Sequence, residues 1–187
     1  MPILVIANSN VKHILGAGEY PIRVRQCKEA TEALSKVNLL VKSLRDASLD
    51  DIDAAALLGA LVGILLRRAH HVVSENVRTV KAADAWVRGN WDSVGKLMNK
   101  SHLSMKDDYE VSCDEIDILV ELAQNFDGVY GSRITGGGFG GCTVMLMKKN
   151  AAQGLINCLN KEYEVKTGTK CNCFVTSPTD GAIAVNL

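Results

Sequence analysis

The stretch Val129-Tyr130-Gly131-Ser132-Arg133-Ile134-Thr135-Gly136-Gly137-Gly138-Phe139-Gly140-Gly141-Cys142-Thr143-Val144-Met145-Leu146-Met147 decides how this chain is read. Its two ends are rich in β-branched and apolar residues and read as strands. Between them Gly136 to Gly141 holds five glycines interrupted only by Phe139, so the order is strand, Gly-rich loop, strand. Glycine loses more conformational freedom on folding than any other residue, so such a run needs a compensating role. One role is to let backbone N–H groups converge on an anion. The other is to let a second backbone approach closely in a tight or bulged hairpin with no ligand. The residues leave both open. No Lys-Ser or Lys-Thr follows the glycines, and no helix follows them directly, so neither a P-loop nor a dinucleotide fingerprint fits.

The surroundings of the loop predict an α+β unit, an antiparallel sheet covered by helices. Ile3 to Ala7 reads as a buried strand ended by Asn8-Ser9-Asn10. A loop containing Gly16 and Gly18 leads to Tyr20-Pro21, where Pro suits the first turn of a helix. That helix is predicted to carry Ile22, Cys27, Ala30, Ala33, Leu34 and Val37 inward and Arg23, Lys28, Glu29, Glu32 and Lys36 outward. Ser48 before Asp50-Asp51 is a helix start, and the apolar run Ala54 to Leu66 reads as a buried helix continuing through Val80. Gly89-Asn90 marks a turn before a shorter helix from about Ser93 to His102, and Asp114-Glu115 opens another. A last helix from Ala151 to about Tyr163 precedes strands at Cys173 to Thr176 and Ala182 to Val185, separated by a turn at Pro178 to Gly181.

Composition narrows the function classes. The 187 residues carry 21 Lys plus Arg against 21 Asp plus Glu, so no net field draws the chain to nucleic acid or an anionic membrane. The longest apolar run is about 13 residues, short of the roughly 20 that span a bilayer. Met1 to Val5 lacks a basic n-region, which points to a cytoplasmic location. The six cysteines read as reduced thiols. Cys171-x-Cys173 lacks the second ligand pair that a structural zinc site needs, so no metal is expected.

Three ordered stretches carry a resemblance to a known family. Thr135 to Gly141, preceded by Tyr130 to Arg133 and followed by Cys142 to Val144, resembles the third signature motif of the GHMP small-molecule kinases in its galactokinase form. Asn8-Ser9-Asn10-Val11-Lys12-His13 with Glu19-Tyr20-Pro21 and Arg23-x-Arg25-Gln26-Cys27 is similar to a second galactokinase segment. Ala69-His70-His71-Val72 and Ser101-His102 through Asp107-Asp108-Tyr109-Glu110-Val111-Ser112-Cys113 resemble its helical region. The resemblance covers nearly the whole chain. Mevalonate and homoserine kinases of the same family fit the Tyr20-Pro21 and 107–113 segments poorly.

The resemblance implies a GHMP kinase C-terminal domain over 1–187, with a ferredoxin-like core and extra helices. Its N-terminal lobe would lie outside the chain, and strand 3–7 is assignable to either part. It implies an ATP- and Mg²⁺-dependent transfer of the γ-phosphate to the anomeric hydroxyl of α-D-galactose. It further implies that Tyr20 contacts a sugar hydroxyl and that Lys12 stands near the transferred phosphate, where the family typically has Arg. Thr135, Gly136, Gly137, Gly138, Phe139, Gly140 and Gly141 would shape the nucleotide phosphate site. Without the family, Tyr20 reads as an amphipathic helix-start residue and Lys12 as a solvated cation. His70, His71 and the 107–110 tract read as structural rather than catalytic or metal-binding. The family's motifs of the form Gly-Arg-x-Asn-Leu-Ile-Gly-Glu-His and Gly-Leu-Ser-Ser-Ser are not in the sequence. The expectation is therefore an inactive C-terminal portion with no catalytic residue or metal ligand of its own. The alternative is a non-catalytic, sugar-binding or regulatory paralogue.

Overall fold

The computed structural model describes residues 1–12 and 19–177, with only the backbone of Lys12. The Gly16/Gly18 loop, the 178–181 turn and the strand expected at 182–185 lie outside the described residues. Four strands, β1 (Ile3–Lys12), β2 (Val129–Thr135), β3 (Gly140–Met147) and β4 (Asn172–Thr176), form one antiparallel sheet in the order β2-β3-β1-β4. The helices are α1 (Glu19–Val37), α2 (Leu49–Leu57), α3 (Gly63–Val87), α4 (Trp91–Asp107), α5 (Asp114–Gln124) and α6 (Ala152–Thr167), the last entered through a 3-10 turn at Lys149–Ala151. With α1 to α5 forming one crossover and α6 the other, this is the expected ferredoxin-like strand order with added helices.

β1 runs longer than the 3–7 expected and lies inside the sheet, pairing Val5 with Met145 of β3 and with Val175 of β4. Period-2 alternation sends Val5, Ala7, Met145 and Met147 to a core with Leu119 and Ala123 of α5 and Leu155, Leu159 and Tyr163 of α6. The opposite face sends Leu146, with Leu4, to Ala85, Trp86, Val94 and Met98 of α3 and α4. A separate helical core joins Ala30 and Leu34 of α1 with Ile52, Ala55, Leu61, Ala69 and Val73.

Three helix expectations are corrected. The run 54–66 is not one buried helix. After the Ser48 capping box starts α2, Gly59 at φ +69° ends it, and the chain turns before Gly63 (φ +53°) opens α3. The turn drives Leu61 into the core and leaves Leu57, Leu58 and Val62 exposed. Arg23, expected to face outward, is buried on the same helix face as Ala30 and Leu34. The helix expected at 93–102 is longer, because the Asn90 side chain accepts the Ser93 N–H at 3.1 Å and starts it at Trp91.

At Gly95 and Gly131, α4 meets β2 backbone to backbone. A Cβ on Gly95 would stand 1.9 Å from the carbonyl oxygen of Tyr130, and one on Gly131 would stand 2.2 Å from that of Gly95. This contact fixes the helix against the strand that leads into the Gly-rich loop.

Candidate functional site

The Gly-rich loop is the turn of the β2–β3 hairpin, with Thr135 opposite Cys142 and Gly140 opposite Lys12. Positive φ at Gly136, Gly138, Gly140 and Gly141, and at Phe139 (59°), gives it a backbone that β-carbons resist. The two roles left open for the glycines divide between positions. At Gly138 a Cβ would stand 2.5 Å from the Val111 carbonyl oxygen, so this glycine serves close backbone approach. The neighbouring Phe139 N–H donates to that same oxygen at 2.7 Å. Gly136, Gly137 and Gly141 face open space.

Gly138→Ala is therefore expected to cost roughly 2–4 kcal/mol, from left-handed strain plus a backbone clash, whereas Gly136→Ala should cost about 1 kcal/mol from strain alone. Urea midpoints of the two variants check the ordering. Equal midpoints would remove the role of Val111.

The Val111 segment is itself held by arginines. Arg23 of α1 donates through Nε to the Tyr109 carbonyl and through Nη2 to the Glu110 carbonyl, both at 2.8 Å, and pairs with Glu19 at 3.1 Å. Its guanidinium carbon lies 5.9 Å from the centre of the Phe139 ring. Arg68 of α3, only 1% exposed, donates to the Asp108 carbonyl, to the Glu110 carboxylate (both 2.5 Å) and to Gln26 Oε1 at 2.9 Å. Arg67 adds a second bond to Glu110 at 2.8 Å. The hydrogen bond from Arg68, with the charges of Arg68, Arg67 and Arg23, holds the Glu110 carboxyl below the usual range.

β1 anchors the other limb of the hairpin. The buried Ser9 hydroxyl donates to the Gly141 carbonyl at 2.9 Å, and Tyr163 on α6 donates to the Ser9 carbonyl at 2.9 Å.

Of the residues named from the sequence, the Lys12 backbone adjoins the glycine loop. Tyr20 is exposed and stands one turn before Arg23 on α1, so it shares the helix face that meets Phe139. The Lys12 backbone pairs with Gly140, while its side chain lies outside the described residues. Sequence reasoning missed Arg23 and Val111 as supports of the loop. The signal was present in the Asp107–Val111 stretch, but pairing it with α1 requires the fold.

His70, His71 and the 107–110 tract are joined to each other and to α4 by hydrogen bonds and a ring stack. His71 is buried, stacks on Tyr109 with ring centres 4.4 Å apart, and bonds Ser104 Oγ at 3.0 Å. Ser104 and His70 both reach Asp108 Oδ2, at 2.8 and 3.1 Å. Burial pushes the His71 imidazole down to about 4. The nearby charges of Glu75 and Asp108 oppose that, and those of Arg78 and His70 add to it. Its native state resists protonation that the unfolded chain accepts, so stability is complete above about pH 6.5 and falls as pH drops toward 4, by about 3 kcal/mol in all. Chemical denaturation from pH 7 to 4 should show that slope, and His71→Gln should flatten it. An unchanged slope in the variant would reassign the acid sensitivity.

Among the described residues no group of three or more His, Cys, Asp or Glu side chains is placed to hold a metal ion, and no helix is long and apolar enough to cross a membrane.

Comparison with known proteins defines the class. Residues 79–165 match the GHMP kinases C-terminal family model, and the fold is that of a GHMP kinase C-terminal domain. The chain corresponds to the C-terminal region of galactokinases. It is 46% identical over 179 residues to a galactokinase of Homo sapiens, covering 96% of this chain and 43% of that protein. It is 41% identical over 179 residues to one of Bacillus subtilis, covering 96% and 45%. The fold superposes with a TM-score of 0.86 on the Lactococcus lactis galactokinase complexed with galactose, at 37% identity over 93% of this chain and 44% of that one. The L. major mevalonate kinase in complex with R-mevalonate shares the fold (TM-score 0.55, 13% identity, 97% of this chain and 44% of that one). The chain thus spans less than half the length of the curated relatives it matches.

Proposed function

We propose that this chain forms the C-terminal wall of a galactokinase active site. The complete protein would transfer the γ-phosphate of ATP to the anomeric hydroxyl of α-D-galactose in the cytoplasm. The observation that carries the reading is the match, along nearly the whole chain, to galactokinases in both sequence and fold. In this reading the exposed Tyr20 hydroxyl, able to donate and accept, bonds a sugar hydroxyl. Lys12 supplies positive charge near the phosphates, and the loop from Thr135 to Gly141 walls the nucleotide phosphate site on its open, glycine side. The Arg23, Arg68 and Val111 scaffold holds that loop. Mg²⁺ bound with ATP neutralises phosphate charge during transfer. The residues that would ligate it and take the hydroxyl proton belong, in this proposal, to a lobe outside this chain.

A chimera tests the proposal: this chain replaces the corresponding C-terminal region of the Bacillus subtilis galactokinase. Formation of galactose 1-phosphate from ATP and galactose is the expected result. Tyr20→Phe in the chimera should raise KM for galactose about 3- to 10-fold, the loss of one neutral hydrogen bond. A folded but inactive chimera would overturn the reading. The 187-residue chain alone is expected to form no sugar phosphate. Saturable galactose binding by that isolated chain, measured by calorimetry, would favour a non-catalytic sugar-binding role instead.

A further inference from the structure

Cys171 and Cys173 stand apart from the candidate site and are used by nothing described above. Two residues apart in extended chain, they share a face, and their sulfurs lie 3.8 Å from each other. Cys171 is buried at the entrance to β4, where its thiol also reaches Asn160 Oδ1 of α6 at 3.4 Å. Cys173 is half-buried and faces Ala7 of β1 across the ladder. Among the described residues no third side-chain ligand joins the two sulfurs, which makes a poor metal site. They do suffice for one covalent bond between themselves.

We infer that Cys171 and Cys173 form a dithiol modification site that a small two-electron oxidant of the peroxide class closes to an intrachain disulfide. The sulfurs need to approach by about 1.8 Å to reach bonding distance. The local backbone permits this, because Cys171 precedes the ladder and, among the described residues, β4 pairs only with β1.

The step balances. The Cys171 thiolate attacks one peroxide oxygen, the O–O bond breaks, and the departing hydroxide takes a proton and leaves as water. The Cys173 sulfur then attacks the sulfenic sulfur of Cys171, the S–O bond breaks, and a second water leaves with the Cys173 proton. Two thiols lose two electrons and two protons, and one peroxide becomes two waters. The hydrogen bond between the two sulfurs supports this order of attack, since it holds the Cys171 thiol below the ordinary range and pushes Cys173 up. The bridge would tighten the start of β4 beside Asn8 and Asn10, the latter already bonded to the Lys170 carbonyl at 2.8 Å.

The test treats the full chain with hydrogen peroxide, blocks remaining thiols with N-ethylmaleimide, and maps peptides by mass spectrometry. The expected result is loss of two hydrogens from the peptide containing Cys171 and Cys173, and alkylation falling from six sites to four, both reversed by dithiothreitol. Cys173→Ser should leave a sulfenic acid on Cys171 that dimedone captures, with no bridge. Full alkylation of both sulfurs at peroxide levels that oxidise Cys27, Cys113, Cys142 or Cys158 would overturn the inference. So would bridges found only between separate chains, and the wild-type map decides the matter even where the variant fails to fold.

Discussion

Gly95→Ala is expected to leave little folded protein. The added methyl would sit 1.9 Å from the Tyr130 carbonyl oxygen and 2.2 Å from its carbon. Those atoms belong to a hydrogen-bonded strand, so no rotamer change relieves the overlap. Helix α4 would have to move off β2, opening the packing of Val94, Ala85 and Leu146 behind it. The cost should exceed about 4 kcal/mol, a large share of the roughly 5–15 kcal/mol that holds a domain together. Gly137→Ala is the control, because its backbone lies outside the left-handed region and nothing stands near its missing Cβ. Urea denaturation should give a near-native midpoint for Gly137→Ala and little or no transition for Gly95→Ala. A Gly95→Ala protein of native midpoint would refute the direct backbone contact.

Arg68→Met should be the next most damaging change, at about 3 kcal/mol. Its buried guanidinium serves the Asp108 carbonyl, the Glu110 carboxylate and Gln26 together, and removing one partner of a buried charge pair typically costs about 3–5 kcal/mol. The lower end applies because Arg67 still pairs with Glu110, whose side chain is 44% exposed and partly hydrated. Arg68→Met with Glu110→Gln should recover part of the loss, as expected of groups in contact. The damage should also travel. Asp108 to Val111 carries the acceptor for the Phe139 N–H, so hydrogen exchange at Phe139 should speed up more than at Leu155 in the far core. Uniform acceleration at both sites would mean that the arginine stabilises the fold without holding the loop.

The reach of the sequence can be judged from these residues. The Gly-rich run between two apolar, β-branched stretches was legible as strand, loop, strand, because glycine suits a succession of positive φ angles that Phe139 alone shares with it. Ser48 and Asp51 specified a helix start through local hydrogen bonds, and the structure shows that capping box. Interactions within a few residues were thus legible, and motif order identified the family.

What misled was also local. The periodicity of 54–66 suggested one helix, but Gly59 and Gly63 turn the chain and core packing claims Leu61. Arg23 looked solvent-facing because its charge outweighed its position. Its partners, the carbonyls of Tyr109 and Glu110, lie 86 and 87 residues away.

By itself, the sequence determined the α+β class, the order of strand, glycine loop and strand, and the resemblance to the C-terminal region of galactokinases. Tertiary structure alone decided which glycines answer to which demand. Gly95, Gly131 and Gly138 are glycines because another backbone occupies the place of their Cβ, and Gly136 because the turn requires its positive φ. It also decided that buried arginines brace the loop. The reason is physical: turn geometry is written in neighbouring residues, whereas steric exclusion and charge pairing depend on segments that meet only once the chain has folded.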